Sequence, residues 1–411
     1  RQILDAQPGI TLGTGENGNA FGDRYIIRGQ EARSDVFVDG LRDPGMTIRE
    51  SFATEQVEIS KGPSSSFAGR GTAGGAINSI TKQASSQYDF NRVSAAGGTD
   101  SHTRLTLDSN QAITDTIALR ANLLYSYEEV PDRDPADRER QGVALSALFT
   151  PTEALEILVD YYGLDAEDKP DLGGYLLNRK PARNVPVYAQ RQDFLESDVD
   201  TFTARISYDF TPDVYLHNAT RYGITDNGYV TTGARGATTG VNNPGGVHAT
   251  TTLSTHQGWQ EVDYLVNQTN LFANLDLGGR THEFILGMEL SDHEVLNGIY
   301  NVANSGQNCI TGTGTALNAW CIRDASGQVV PGIDRLMNRR ISTGPWDQDW
   351  QARTISTYLM DTVDLRKDVT LFAGLRYDDT EIDLLTQNAQ QQAITGDYSS
   401  SDGKWLSLIH I

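Results

Sequence analysis

From about Tyr88 onward the chain alternates between apolar and polar residues over long stretches. In Asp198–Phe210 the residues Phe202, Ala204, Ile206, Tyr208 and Phe210 share one face, and Thr203, Arg205, Ser207 and Asp209 share the other. In Thr116–Glu128 one face carries Ile117, Leu119, Ala121, Leu123, Tyr125 and Tyr127. The other carries Arg120, Asn122, Ser126 and Glu128, with Ala118 and Leu124 mixed in. Glu153–Leu164 and Val369–Asp378 repeat the pattern, while the segments around Tyr215 and Tyr358 alternate less cleanly. A period of two is the mark of a β-strand, and about eleven such strands are expected before the chain stops.

The connections between these strands alternate in length. Short ones fall at Thr114–Asp115, Thr150–Thr152, Thr211–Asp213, Gly278–Arg280 and Arg366–Asp368. Long ones are expected at 129–139, 167–194, 229–260, 296–350 and 385–402. Short turns on one rim and long loops on the other describe a membrane-spanning barrel better than a soluble sandwich. Residues 1 to 84 follow a different grammar: short segments such as RYIIRG, DVFVDG, QVEIS and GAINSIT, separated by turn residues. They are expected to form a small separate domain, with 85–411 as the barrel.

Composition leaves a membrane role open only to a strand-built barrel. Of 411 residues 38% are hydrophobic, below the usual globular share, and mean hydropathy is -0.42. No apolar run nears the roughly 18 residues of a membrane helix. A barrel wall needs only alternate residues to be apolar. The net charge of -21 argues against a nucleic-acid partner, which requires a basic surface. Cys309 and Cys321 bracket CITGTGTALNAWC. That spacing suits a loop disulfide in an oxidising compartment better than zinc, with two free thiols as the alternative.

Other motifs carry little. GTGENG and GRGTAG spell GxGxxG but lack the long helix a dinucleotide site needs. His248 and His256 share a loop at a spacing that fits no common metal site, and no metal is expected. GxSxG, HExxH and Walker sequences do not occur, so an enzyme has no constellation behind it.

The first domain carries IIRG (Ile26–Gly29), VDG (Val38–Gly40), QVEISKGP (Gln56–Pro63) and GRGTAGGAIN (Gly69–Asn78) in order. This series resembles the plug domain of TonB-dependent receptors, above all the catecholate-type ferric-siderophore receptors. The resemblance implies an all-β transmembrane barrel with an N-terminal mixed α/β plug, here about 11 of roughly 22 antiparallel strands, since barrels of that size carry a plugged lumen. It implies active import of a ferric siderophore across the bacterial outer membrane. The iron would travel as chelate cargo rather than as a cofactor. It implies outer-membrane lipid around the wall, and TonB as a partner through an N-terminal box that precedes the residues present. The signal peptide would precede them too, and further barrel strands would follow GKWLSLIHI, whose last residues read as non-native. By the same resemblance Arg28, Glu58, Lys61 and Arg70 would lock plug to wall.

The outward stretches of such a plug are expected near 16–22, 30–34 and 43–49. Arg33, Arg42 and Arg49 would meet an anionic chelate there, because Arg stays charged and offers forked donors. Trp259 and Trp320 lead a set of loop aromatics, with Tyr229, Tyr300, Trp346 and Trp350, that would add flat contact area. The acidic balance opposes an anionic cargo unless local arginines outweigh distant acids, which salt screens beyond roughly 8–10 Å. Cobalamin, haem or a glycan remain alternative cargoes on this fold, and a passive pore or a barrel enzyme are further alternatives.

Overall fold

The computed structural model describes residues 4, 6–13, 24–32, 36–43, 48–62, 69, 74–174, 176–177, 179–181, 185–238, 250–306, 319–322 and 328–410. The N-terminal part contains two small sheets. β1 (Ile10–Gly13), β2 (Arg24–Ile27) and β3 (Gln30–Glu31) form an antiparallel meander. β4 (Val36–Val38), β5 (Leu41–Arg42), β6 (Thr54–Lys61) and β7 (Gly75–Thr81) form a sheet in the order β5-β4-β7-β6, with β4 and β7 parallel. Ile10, Tyr25, Ile27, Ala32 and Ile77 pack between the two sheets. The described residues of this part contain strands and one 3-10 turn at Ser51–Ala53. The helical component of the expected mixed α/β plug is not among them, apart from the helical backbone at Leu4.

The wall is one antiparallel meander. Its long strands are β8 (Phe90–Gly97), β9 (Thr103–Thr114), β10 (Ile117–Glu129), β11 (Asp137–Thr152) and β12 (Leu155–Lys169). After the small hairpin β13 (Leu176–Leu177) and β14 (Lys180–Pro181) come β15 (Phe194–Thr211), β16 (Val214–Thr238), β17 (Thr250–Leu277) and β18 (Arg280–Asn304). The last are β19 (Ala319–Cys321), which pairs with β17, then β20 (Arg339–Arg366), β21 (Val369–Asn388) and β22 (Ala393–His410). This sheet holds 13 strands, against the eleven or so expected. The 385–402 stretch and the described residues of 229–260 and 296–350, expected as loops, are mostly strand: β16 and β17 run on as far as Thr238 and Thr250. Above the membrane neither face meets lipid, so the apolar alternation fades while backbone pairing continues.

The burial of this wall is inverted relative to a soluble protein. Leu119 is 48% and Phe202 51% exposed, while Arg120 and Arg205 on the opposite faces are buried. The outward side chains suit lipid, and the inward ones meet the plug.

Candidate functional site

The VDG turn makes a buried plug–wall junction. Asp39 has a left-handed backbone, φ 50°, and Gly40 follows at φ 79°. Asn78 Oδ1 accepts from the Gly40 amide at 3.0 Å, which ties the VDG motif to GAIN on β7. Asp39 itself accepts from the backbone amide and the hydroxyl of Thr81, each at 2.8 Å. Its remaining acceptor capacity faces the wall. Arg205 of β15 forks between Asp39 and Asp160 of β12. Arg221 of β16 approaches Asp39 at 3.7 Å and donates to the Val38 carbonyl at 3.0 Å. The side chains of Asp39, Arg205 and Arg221 are at most 7% exposed. Two cations and two carboxylates balance one another in charge, in a site where a single unpaired charge would be costly.

A second junction follows the plug along β9 to β12. Glu50 meets Arg104 at 3.3 Å and Arg140 at 3.8 Å. Glu55 meets Arg120 at 3.3 Å, and Arg120 is held by Asp108 at 2.9 Å. Lys82, just after β7, also pairs with Asp108, at 3.0 Å. Between these charges Phe52 enters an apolar socket with Leu124 and Tyr162, its ring stacked 5.8 Å from that of Tyr162. Leu41 enters another socket, formed by Ala219, Val262, Tyr264, Val266 and Val295.

Gly142 is what lets Phe52 in, because a Cβ there would lie 2.7 Å from the ring. Gly142→Leu is therefore expected to cost about 1–3 kcal/mol of plug seating by overpacking. Hydrogen exchange of residues 48–62 in the full-length protein checks this. Protection equal to wild type would show that the socket does not hold the plug.

The expected locking residues behave differently. Arg28 stands exposed in the β2–β3 turn at φ 50°, running beside Gly9 and Gly62 of the plug itself. Glu58 accepts from Asn78 at 3.0 Å and from Gln56 at 3.4 Å, both within the plug. Lys61 is exposed at the end of β6, an edge strand of its sheet. Among the described residues none of these three pairs with the wall. Arg70 lies outside the described residues, although neighbouring Gly69 touches Arg376 of β21.

The expected ligand residues are also distributed. Arg33 lies outside the described residues. Arg42 is half-buried, its guanidinium 4.9 Å from the centre of the Phe37 ring. Arg49 is not open at an apex: it pairs with Asp43 at 2.8 Å and lies over the Tyr162 ring at 4.9 Å. Burial alone would favour its neutral form, but Asp43, aided by Tyr264 and Tyr162, outweighs that and raises its pKa.

Trp259 is buried beside Gly298 and donates to the Gly344 carbonyl at 3.2 Å. Trp320 pairs on β19 with Thr251 and packs with Tyr188, Leu253, Ile322, Ile333 and Met337. Both indoles are structural members of the outer loop body. Cys321 is disulfide-bonded, and Cys309, the only other cysteine in the chain, lies outside the described residues.

Residues not singled out from sequence line the inner wall at and above Glu50 of the plug. In register, Arg104 faces Ser126, and Ser126 faces Arg140. Arg138, one step higher on β11, pairs with Glu128 at 3.0 Å and keeps 55% of its side chain exposed. Further along the same wall, on β15 to β18, the paired polar groups are neutral: Ser197 with Asn227 at 2.7 Å, and Gln260 with Asn297 at 2.8 Å. The parity of β9 to β12 would have placed these arginines inward, had each charged position been followed to its strand top.

Comparison with known proteins agrees with this architecture. The family model described as TonB-dependent Receptor Plug Domain matches residues 1–76, and that described as TonB dependent receptor-like, beta-barrel matches residues 148–407. The probable TonB-dependent siderophore receptor PiuA of Acinetobacter baumannii is 32% identical over 398 residues, spanning 92% of this chain and 51% of PiuA. The catecholate siderophore receptor Fiu of Escherichia coli K12 is 29% identical over 402 residues, spanning 92% of this chain and 50% of Fiu. The chain thus spans about half the length of these curated relatives. The crystal structure of PiuA superposes with a TM-score of 0.81 at 28% identity, over 99% of this chain and 58% of that one. The open form of Fiu gives 0.77 at 25% identity, over 99% and 62%. With a family model over most of the chain and a plug sheet bolted to a polar-lined wall, the chain belongs to the TonB-dependent receptors, plugged β-barrels of the outer membrane.

Proposed function

We propose that the receptor carrying this plug and wall imports an anionic ferric siderophore of the catecholate class across the outer membrane. The observation that carries the reading is the arginine set Arg104, Arg138 and Arg140 on the inner wall at and above Glu50 of the plug, held by Glu50, Glu128 and Asp168 and continued along the wall by amides and hydroxyls. Guanidinium groups match the charged oxygens of a catecholate chelate. Asn and Gln offer neutral donors to its periphery. PiuA and Fiu, named for siderophores and catecholates, support the same class.

The acidic balance does not oppose this cargo. Asp165, Asp198, Asp226 and Glu261 stand exposed on the outward face of the wall, away from the lumen. Arg42 and Arg49 then act from within the plug. A ligand on the wall would shift the balance at Arg49–Asp43, and TonB would draw the plug aside through its own segment. The iron remains cargo throughout, and no covalent chemistry is involved. The wall would belong to a barrel of roughly 22 strands, a reading supported by β8 and β22 each having one neighbour in the sheet.

Tryptophan fluorescence of the full-length receptor, titrated with a ferric catecholate, a ferric hydroxamate, haem and cobalamin, tests the reading. Saturable quenching by the catecholate is expected. Arg138→Gln should weaken it about tenfold, the worth of one charge-assisted hydrogen bond. A response to haem or cobalamin alone would keep the architecture and reject the cargo.

A further inference from the structure

The outward face of the wall is dented where a lipid-facing surface could be smooth. A cavity of about 750 Å³ crosses β8 to β15. Val93, Leu105, Leu123, Tyr125 and Val143 line it and are apolar or aromatic. At one end its lining includes Gly163, which stands in register between Val143 and Asp200. The absence of a side chain there lets Tyr161 fold over the strand: a Cβ on Gly163 would lie 2.7 Å from the Tyr161 hydroxyl, which donates to Asp200. A strand tilted by about 40° gains roughly 2.5 Å of height per residue. Gly163 therefore sits about 20 Å above the turn that begins β12 at Leu155, near the outer interface of the membrane.

The upper edge of the cavity is acidic. Asp165 faces Asp198 directly across β12 and β15, and both line the cavity with Asp200. All three are exposed, and among the described residues none has an ion pair. Like charges directly opposite one another on a sheet are destabilising. An apolar groove would not by itself select an acyl chain from surrounding lipid, because lipid tails are as apolar as its lining. Selection would have to come from the head group at the acidic edge. Charge complementarity there excludes a bare phosphate and favours a protonated amine, which can donate to several carboxylate oxygens.

We propose that this groove seats an acyl chain of an outer-leaflet lipid whose head group carries a protonated amine, with Asp165, Asp198 and Asp200 receiving the amine. Gly163 makes room for Tyr161, which closes that end of the groove and holds Asp200 at the head-group edge. The site lies on the opposite side of the wall from the plug, so it does not depend on the nature of the cargo.

Native mass spectrometry tests it. The full-length receptor is equilibrated with phosphatidylethanolamine or with phosphatidylglycerol of the same acyl chains, and retained lipid is counted. Heat-modifiable gel mobility confirms that each variant is folded. Wild type is expected to retain phosphatidylethanolamine about tenfold over phosphatidylglycerol. The double variant Asp165→Asn with Asp198→Asn should abolish that preference. Gly163→Val should reduce retention of phosphatidylethanolamine with the carboxylates intact. Equal retention of the two lipids by wild type overturns the proposal, as does a preference that survives both variants. Phosphatidylglycerol retained in magnesium and lost with a chelator would assign a cation-bridged phosphate and overturn the amine.

Discussion

Asp39→Ala is expected to loosen the plug from the wall by about 3–5 kcal/mol, the cost of removing one partner from a buried ion pair. The loss falls on both sides of the junction. Arg205 keeps Asp160, but Arg221 is left with polar neutral partners, the Val38 carbonyl and Thr203. Inside the plug, Thr81 loses both acceptors, and only backbone pairing and the Gly40–Asn78 bond still tie the β4–β5 turn to β7. Hydrogen exchange of residues 36–43 and 75–81 should rise, and full-length receptor in a planar bilayer should show conductance that wild type lacks. The double variant Asp39→Ala with Arg205→Ala should cost less than the sum of the single changes, because removing both partners strands fewer charges. Glu58→Ala and Lys61→Ala serve as controls: both side chains are exposed, so each should stay within about 0.5 kcal/mol of wild type. Unchanged exchange and no conductance in Asp39→Ala would show that the lock lies elsewhere.

The alternation from Tyr88 onward was legible because lipid on one side and a polar lumen on the other enforce opposite chemistry on successive residues. Arg205 accordingly fell on the polar face of its strand before any partner was known. Its role was not legible, since Asp39 lies far away in sequence and reaches it only when the plug is seated. The VDG motif marked the family without revealing that its carboxylate is shared between a plug hydroxyl and two wall guanidinium groups. Arg49 illustrates the same limit. Its residue type suits an anion, but Asp43 and the rings of Tyr162 and Tyr264 already surround it, and those rings come from β12 and β17. For Trp259 and Trp320 the position in the long connections 229–260 and 296–350 suggested open loops. In the structure β17 continues through that region and neighbouring segments fold over it, so the indoles are buried.

That folded-over region is a body in its own right, and Arg339→Ala is expected to open it. Arg339 and Asp193 form an ion pair whose side chains are both 0% exposed. Asp193 also accepts from the Gln190 amide at 2.9 Å and from Thr232 at 2.6 Å, and Arg339 donates to Thr255 at 2.6 Å. Gln190 in turn donates to the Ile333 carbonyl and accepts from the Met337 amide, both at 2.9 Å. One buried pair therefore joins residues 185–193, residues 328–339 and the β16–β17 hairpin around the Trp320 cluster. Burial already pushes the Asp193 carboxyl above its ordinary range, with Arg339 the chief opposing influence. Without Arg339 the carboxylate has no cation to offset burial, so its pKa in the closed body should rise further.

A raised folded-state pKa means that the closed body binds the proton more tightly than the open one. The variant should therefore be most stable at acid pH and lose stability as pH rises through that pKa. At neutral pH a loss of about 3 kcal/mol raises the open population roughly a hundredfold, and cleavage in 185–193 or 328–339 should accelerate in proportion while reclosing is fast. Lowering the pH should slow cleavage of the variant relative to wild type under the same protease. Arg339→Lys should recover part of the loss, since it restores the charge without the fork. Cleavage of Arg339→Ala that matches wild type, or that accelerates equally at every pH, would mean that the apolar cluster alone holds the outer loops together.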